Sequence, residues 1–275
     1  SQAVAQARFD KVKDDADVTA AILETVATKN LFTGSGAAVT DACGDDCCVG
    51  SNACSTSPSA GVMTVSEASC DGDEACLDVF PDTIILNSCN GDLACRIFGQ
   101  FTSTQPNAAV KVGYRVIGPG SCNEGSGCGR AVRNIFGNVR VQTGSCSDVN
   151  ACLDLGVRES QGDTTSPVVA NIFIGKNACT GRQGCNAVHA GTGKARGSLT
   201  IENGACIGDA ACTSAAFKNA AINDLVIKAG VCDASEASKC FGCVRKDMCN
   251  GDPTLTYTIA DATTDCSGPN PLACS

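Results

Sequence analysis

The strongest constraint on this chain is a pair of cysteines five residues apart, written eight times. The pairs are Cys48/Cys54, Cys70/Cys76, Cys89/Cys95, Cys122/Cys128, Cys146/Cys152, Cys179/Cys185, Cys206/Cys212 and Cys243/Cys249. Five of the eight inserts have the form C-x-G-x-x-(A/G)-C (CVGSNAC, CDGDEAC, CNGDLAC, CTGRQGC and CIGDAAC), and CSDVNAC is close to it. Two wider pairs, Cys232/Cys240 and Cys266/Cys274, are variants, and Cys43 and Cys47 complete the 22 cysteines of the 275-residue chain. An even number at this density belongs to an oxidising compartment, so the expected location is extracellular, secreted or at the cell surface. A cytosolic enzyme does not fit. Neither does zinc, since one histidine and no paired C-x2-C knuckles leave few sites.

The flanks repeat with the cysteines. Five residues before the first cysteine of seven units stand Val65, Ile84, Ile117, Val141, Ile174, Ile201 and Ile227. Two residues earlier come Met63, Asp82, Arg115, Val139, Ile172, Leu199 and Leu225. Alternation of this kind marks a strand with one buried face. Three residues after the second cysteine an apolar residue returns: Val79, Phe98, Ala131, Leu155, Val188 or Ala215. The unit therefore reads as strand, cysteine turn, short second strand and loop. Successive first cysteines are 19 to 33 residues apart. The polar inserts 101–110 and 159–167 account for two long intervals.

A repeat of this length predicts an all-β chain, a right-handed parallel β-helix (β-solenoid) of about eight or nine disulfide-braced coils. Its coils would stack at ~4.8 Å. Handedness rests on the general preference of parallel crossovers. Each cysteine pair can close on itself, or the first cysteine of one coil can bridge to the second of the next. Closure within the unit is preferred, because the spacing of five is kept while the spacing between units varies. Such a bridge is worth about 2 kcal/mol in the chain-entropy model. The rival use of cysteine, redox catalysis, needs a low-pKa thiol. The one C-x-x-C, Cys240 to Cys243, lies inside the disulfide-rich C-terminal part.

The ends differ from the repeat. Phe9, Val12, Ala16, Thr19, Leu23 and Val26 form one apolar stripe at helical spacing, with Lys11, Lys13, Asp14, Asp15 and Asp17 off it. Residues 1–36 are thus expected to be an N-terminal amphipathic α-helix that caps the solenoid or joins it to a neighbouring copy. Residues 37–252 form the solenoid. Residues 253–275 supply one alternating strand and a disulfide-closed C-terminal cap.

A search for chemistry finds little. There is no G-x-S-x-G, P-loop, H-E-x-x-H or dinucleotide fingerprint. His189 has no visible nucleophile beside it. Asp71, Asp73, Glu74, Asp92 and Asp209 are the candidate carboxylates for a polysaccharide-cleaving site or for calcium, but they fall in the repeated turn, where Asp and Gly belong for backbone reasons. Ice binding would want a regular Thr row. The outward residues Thr64, Thr83, Val116, Arg140, Phe173, Thr200 and Val226 do not supply one. Arg130, Arg133 and Arg140 read as a solvated basic face. A net charge of −9 argues against nucleic acid, and no apolar run is long enough to span a bilayer. No N-x-(S/T) sequon occurs.

The C-x-G-x-x-A-C unit with its preceding Val/Ile strand resembles the cysteine-rich repeat proteins of diatoms and related stramenopile algae. The resemblance spans about residues 43–250 and implies a secreted β-helix. The expected role is a structural subunit of an extracellular filament, appendage or surface coat. Its expected partners are other copies of itself and, second, an extracellular glycan. No catalytic residue, cofactor or metal site is assigned. The rivals are a carbohydrate-active β-helix enzyme and an ice-, glycan- or calcium-binding module.

Overall fold

The computed structural model describes residues 31–34, 47–55, 63–79, 83–98, 114–131, 137–155, 171–188, 198–213, 224–233 and 256–261. Nine short strands form one sheet in chain order. They are β1 (Leu31–Gly34), β2 (Met63–Ser66), β3 (Thr83–Ile85), β4 (Arg115–Ile117), β5 (Val139–Val141), β6 (Ile172–Ile174), β7 (Leu199–Ile201), β8 (Asp224–Ile227) and β9 (Thr256–Ile259). Strands β2 to β9 pair in parallel, each with its successor. One strand per coil, stacked in sequence, is a parallel β-solenoid. Strand β1 pairs antiparallel with β2 and closes that edge of the sheet.

The register explains the alternation. Val65, Ile85, Ile117, Val141, Ile174, Ile201, Ile227 and Ile259 lie directly on one another in successive strands. All eight are buried, at 1% exposure or less. Two residues earlier a second inward column runs Thr83, Arg115, Val139, Ile172, Leu199, Leu225 and Tyr257, also buried. One expectation is corrected here. Ile85, not Ile84, occupies the inward column, so Ile84 joins the outward row and Thr83 leaves it. The Cys89 unit has one residue fewer between strand and cysteine than its neighbours, and a slip of one residue reverses the face.

The second strand of the repeat is also corrected. Among the described residues each coil contributes one strand. The segment after it is a chain of tight turns, with Leu77 N donating to Glu74 O and Phe98 N to Cys95 O. Its curvature comes from left-handed residues at fixed places. The first cysteine of eight units has φ between 52° and 62°. The fourth residue on (Asn52, Glu74, Leu93, Ser126, Asn150, Gln183 or Ala210) is left-handed as well, and so is the eighth in five units. Non-glycine residues adopt this conformation only when their surroundings over-determine it. The apolar residue after the turn still packs inward as expected, through Val79, Phe98, Ala131, Leu155 and Val188.

Seven bridges close within their own units: Cys48–Cys54, Cys70–Cys76, Cys89–Cys95, Cys122–Cys128, Cys146–Cys152, Cys179–Cys185 and Cys206–Cys212. Cys47 and Cys232 are disulfide-bonded too. Cys43, Cys240, Cys243, Cys249, Cys266 and Cys274 lie outside the described residues, as do both inserts and the stripe of Phe9, Val12, Ala16, Leu23 and Val26. Within the expected helical segment 1–36, the part described is the strand β1. The alternating strand expected in 253–275 is β9, which continues the sheet rather than standing apart from it.

The glycine that recurs in five of the inserts has a steric cause. A Cβ on Gly181 (φ +102) would lie 2.5 Å from the carbonyl carbon of Gly208, one coil on, and a Cβ on Gly50 would lie 2.6 Å from that of Gly72. Glycine is required because two backbones meet there. Gly181→Ala should therefore destabilise the protein by about 1–3 kcal/mol. Removing one bridge with Cys89→Ala/Cys95→Ala should cost about 2 kcal/mol. Non-reducing denaturant titration checks both, with an unchanged midpoint refuting either.

Candidate functional site: the stacked cysteine turns

The turns bind to one another through their backbones. In the first of them, Gly72 N donates to Val49 O at 2.7 Å, Glu74 N to Ser51 O at 2.8 Å, Cys76 N to Ala53 O at 2.6 Å and Asp78 N to Ser55 O at 3.0 Å. Alternate amides thus face the preceding coil. Two amides between them, one and three residues after the first cysteine, face the following coil and find no backbone carbonyl. Side chains complete those bonds. Asp71 Oδ1 accepts from Val49 N at 3.3 Å and Asp73 Oδ1 from Ser51 N at 2.8 Å. Asn90 Oδ1 accepts from Asp71 N, and Asp92 Oδ1 from Asp73 N at 3.0 Å. Asn123 continues the first column and Asp209, accepting from Arg182 N, serves the second.

Each candidate carboxylate is therefore placed. Asp71, Asp73, Asp92 and Asp209 cap amides of the preceding turn. Glu74 pairs with Arg96 of the next coil at 3.3 Å. They lie in columns along the turn stack, each bonded to the neighbouring coil. Cross-coil ion pairs also join Arg130 to Asp154 at 2.5 Å and Lys228 to Glu202 at 2.8 Å. A further ladder runs beside the strand entries. Tyr114 N donates to Asn138 Oδ1, Asn138 N to Asn171 Oδ1, Asn171 N to Ser198 Oγ and Ser198 N to Asp224 Oδ1.

The arginines divide. Arg130 is at the surface in its ion pair, whereas Arg140 is not part of a solvated face. It is buried, its guanidinium lies 5.3 Å from the centre of the Phe173 ring, and Nη2 donates to Tyr114 Oη at 3.4 Å. The cause is the outward row, in which Phe173 sits directly beside Arg140 on the next strand. An aromatic face holds a guanidinium well. Arg115 stands in the inward column and is 1% exposed. Arg133 and His189 lie outside the described residues.

The bridges stack as a sulfur column inside the turns. The sulfurs of Cys146, Cys152 and Cys179 lie within 4.8 Å of one another, as do those of Cys179, Cys185 and Cys206. Metal binding uses the thiolate, and these sulfurs are bridged. Bridges in this number belong to an oxidising environment. Among the described residues no helix is long and apolar enough to cross a membrane.

Residues 32–151 match a family model described as a domain of unknown function (DUF7640). The match begins in β1 and ends inside the Cys146–Cys152 turn, while the same turn continues beyond it at Cys179–Cys185 and Cys206–Cys212. No curated protein and no solved structure matches the chain.

Among the described residues, two carboxylates depart from their ordinary range. Burial raises Asp71, against the opposing effect of the Val49 amide. The hydrogen bond from Lys228 lowers Glu202. The signs oppose. The stabilising contribution of Asp71 is fully present below the ordinary aspartate value of 3.8 and is lost as pH rises through its raised pKa. That of Glu202 is present above 4.5 and is lost as pH falls through its lowered pKa. Asparagine fills the Asp71 column in the next two coils, at Asn90 and Asn123. Asp71→Asn should therefore raise the melting temperature near pH 7, and the gain should vanish below about pH 4. Melting curves across pH check this, and a gain independent of pH would contradict it.

Proposed function

We propose that this chain is a structural subunit of an extracellular filament, appendage or surface coat that self-assembles from copies of itself. The observation that carries the reading is the stack of disulfide-closed turns, in which the acidic side chains are committed to the neighbouring coil's backbone. A wall built this way resists denaturation and proteolysis, and it grows in one dimension by adding like units. The coils are taken as right-handed, following the general preference of parallel crossovers, and the stripe Phe9 to Val26 as a capping or joining helix. Secretion accords with the number of cysteines.

Electron microscopy of the native protein without reductant tests the reading. Regular filaments or sheets are expected. Discrete monomers at all concentrations would overturn it and leave glycan-cleaving and ligand-binding roles to be assayed.

A further inference from the structure

The backbone holds the cysteines of the turn stack in two columns. The first cysteine of a turn is tied to the coil that follows it. Cys146 N donates to Ala178 O at 3.1 Å and Cys179 N to Ala205 O at 2.9 Å. The second cysteine is tied to the coil before. Cys185 N donates to Ala151 O and Cys212 N to Gly184 O, both at 2.6 Å. Cys146, Cys179 and Cys206 therefore stand in one column, and Cys152, Cys185 and Cys212 run beside them.

The sulfurs follow the backbone. Those of Cys146, Cys152 and Cys179 lie within 4.8 Å of one another, and so do those of Cys179, Cys185 and Cys206. Each group holds one complete bridge and one sulfur of the next coil, with Cys179 common to both. All five cysteines are fully buried. A thiol formed here is shielded from solvent, and the electrophile beside it is the neighbouring coil's disulfide. Thiol–disulfide exchange needs a thiolate, a disulfide sulfur and access between them.

We propose that the sulfur column carries out internal disulfide exchange, passing an unpaired thiol from one turn to the turn before it. The Cys206 thiolate attacks Sγ of Cys185. A Cys185–Cys206 bond forms, the Cys179–Cys185 bond breaks, and its electron pair leaves with Cys179. Cys179 then attacks Cys152 in the same way and releases Cys146. Each step makes one disulfide and breaks one, so no oxidant or reductant is consumed. The proton lost by the attacking thiol is regained by the released one. A chain with one bridge unmade, or one opened by a small-molecule thiol, thus moves its unpaired sulfur without unstacking its coils. The exchange stands apart from self-assembly and does not rest on it.

The test uses Cys212→Ser in the full chain, which leaves Cys206 unpaired in a protein without free cysteines. Circular dichroism and a thiol count verify folding. The variant is held at mildly alkaline pH, quenched in acid denaturant, alkylated and mapped by peptide mass spectrometry. The thiol should start on Cys206 and spread to Cys179 and then Cys146, with a Cys185–Cys206 peptide appearing in step. Roughly a tenth or more should leave Cys206, the share that a difference of about 1.4 kcal/mol between the pairings permits. A thiol that stays on Cys206 at all times overturns the proposal. So does one found from the outset at distant turns such as Cys48–Cys54, since that marks scrambling in an unfolded chain. Should Cys212→Ser not fold, Cys185→Ser places the thiol on Cys179 beside the Cys146–Cys152 bridge. Transfer is then read at Cys146, and a thiol confined to Cys179 overturns the proposal there.

Discussion

The fold depends on one repeated contact, the hydrogen bonds from alternate amides of each cysteine turn to the carbonyls of the turn before it. A backbone that must present its amides to a neighbour at this pitch has little freedom. It needs left-handed residues at the first cysteine and again four residues later. It also needs glycine where coils come within van der Waals reach, as at Gly50, Gly72 and Gly181. The disulfide holds a loop in that conformation, and buried alanines such as Ala75, Ala94 and Ala151 fill the narrow space beside it. The strands are the lesser part of each coil, three or four residues long.

This arrangement accounts for the acidic turns. A stacked turn leaves some amides aimed at the following coil with no carbonyl to meet, and an unmade buried or half-buried bond is costly. An aspartate or asparagine side chain of the next coil supplies the missing oxygen. The carboxylates that suggested acid–base chemistry or calcium are thus explained by the architecture, and their regular spacing follows from the coil rather than from a substrate.

Much of this was legible before any coordinates. The coil repeat and the inward Val/Ile column follow from spacing, because a stacked coil must return the same residue to the same place; closure within the unit was the preferred of two pairings, and the seven described C-x5-C pairs adopt it. Two errors had local causes. Ile84 and Ile85 are both apolar, and counting back from Cys89 chose the wrong one, since that coil is shorter by a residue before the cysteine. The predicted second strand proved to be a chain of turns, because an apolar residue at its end marks burial and not conformation. Arg140 looked solvated beside other arginines, yet its environment is set by Phe173 and Tyr114, 33 and 26 residues away in the chain.

The sequence by itself determined that the chain is a disulfide-braced repeat with one buried face per coil, for those properties are periodic and survive without knowledge of neighbours. Only the tertiary structure decided which oxygen completes each amide and which arginine is buried. Those facts depend on which coil lies against which. A pattern that repeats along the chain describes each coil and is silent about the contacts a side chain makes with the coil beside it.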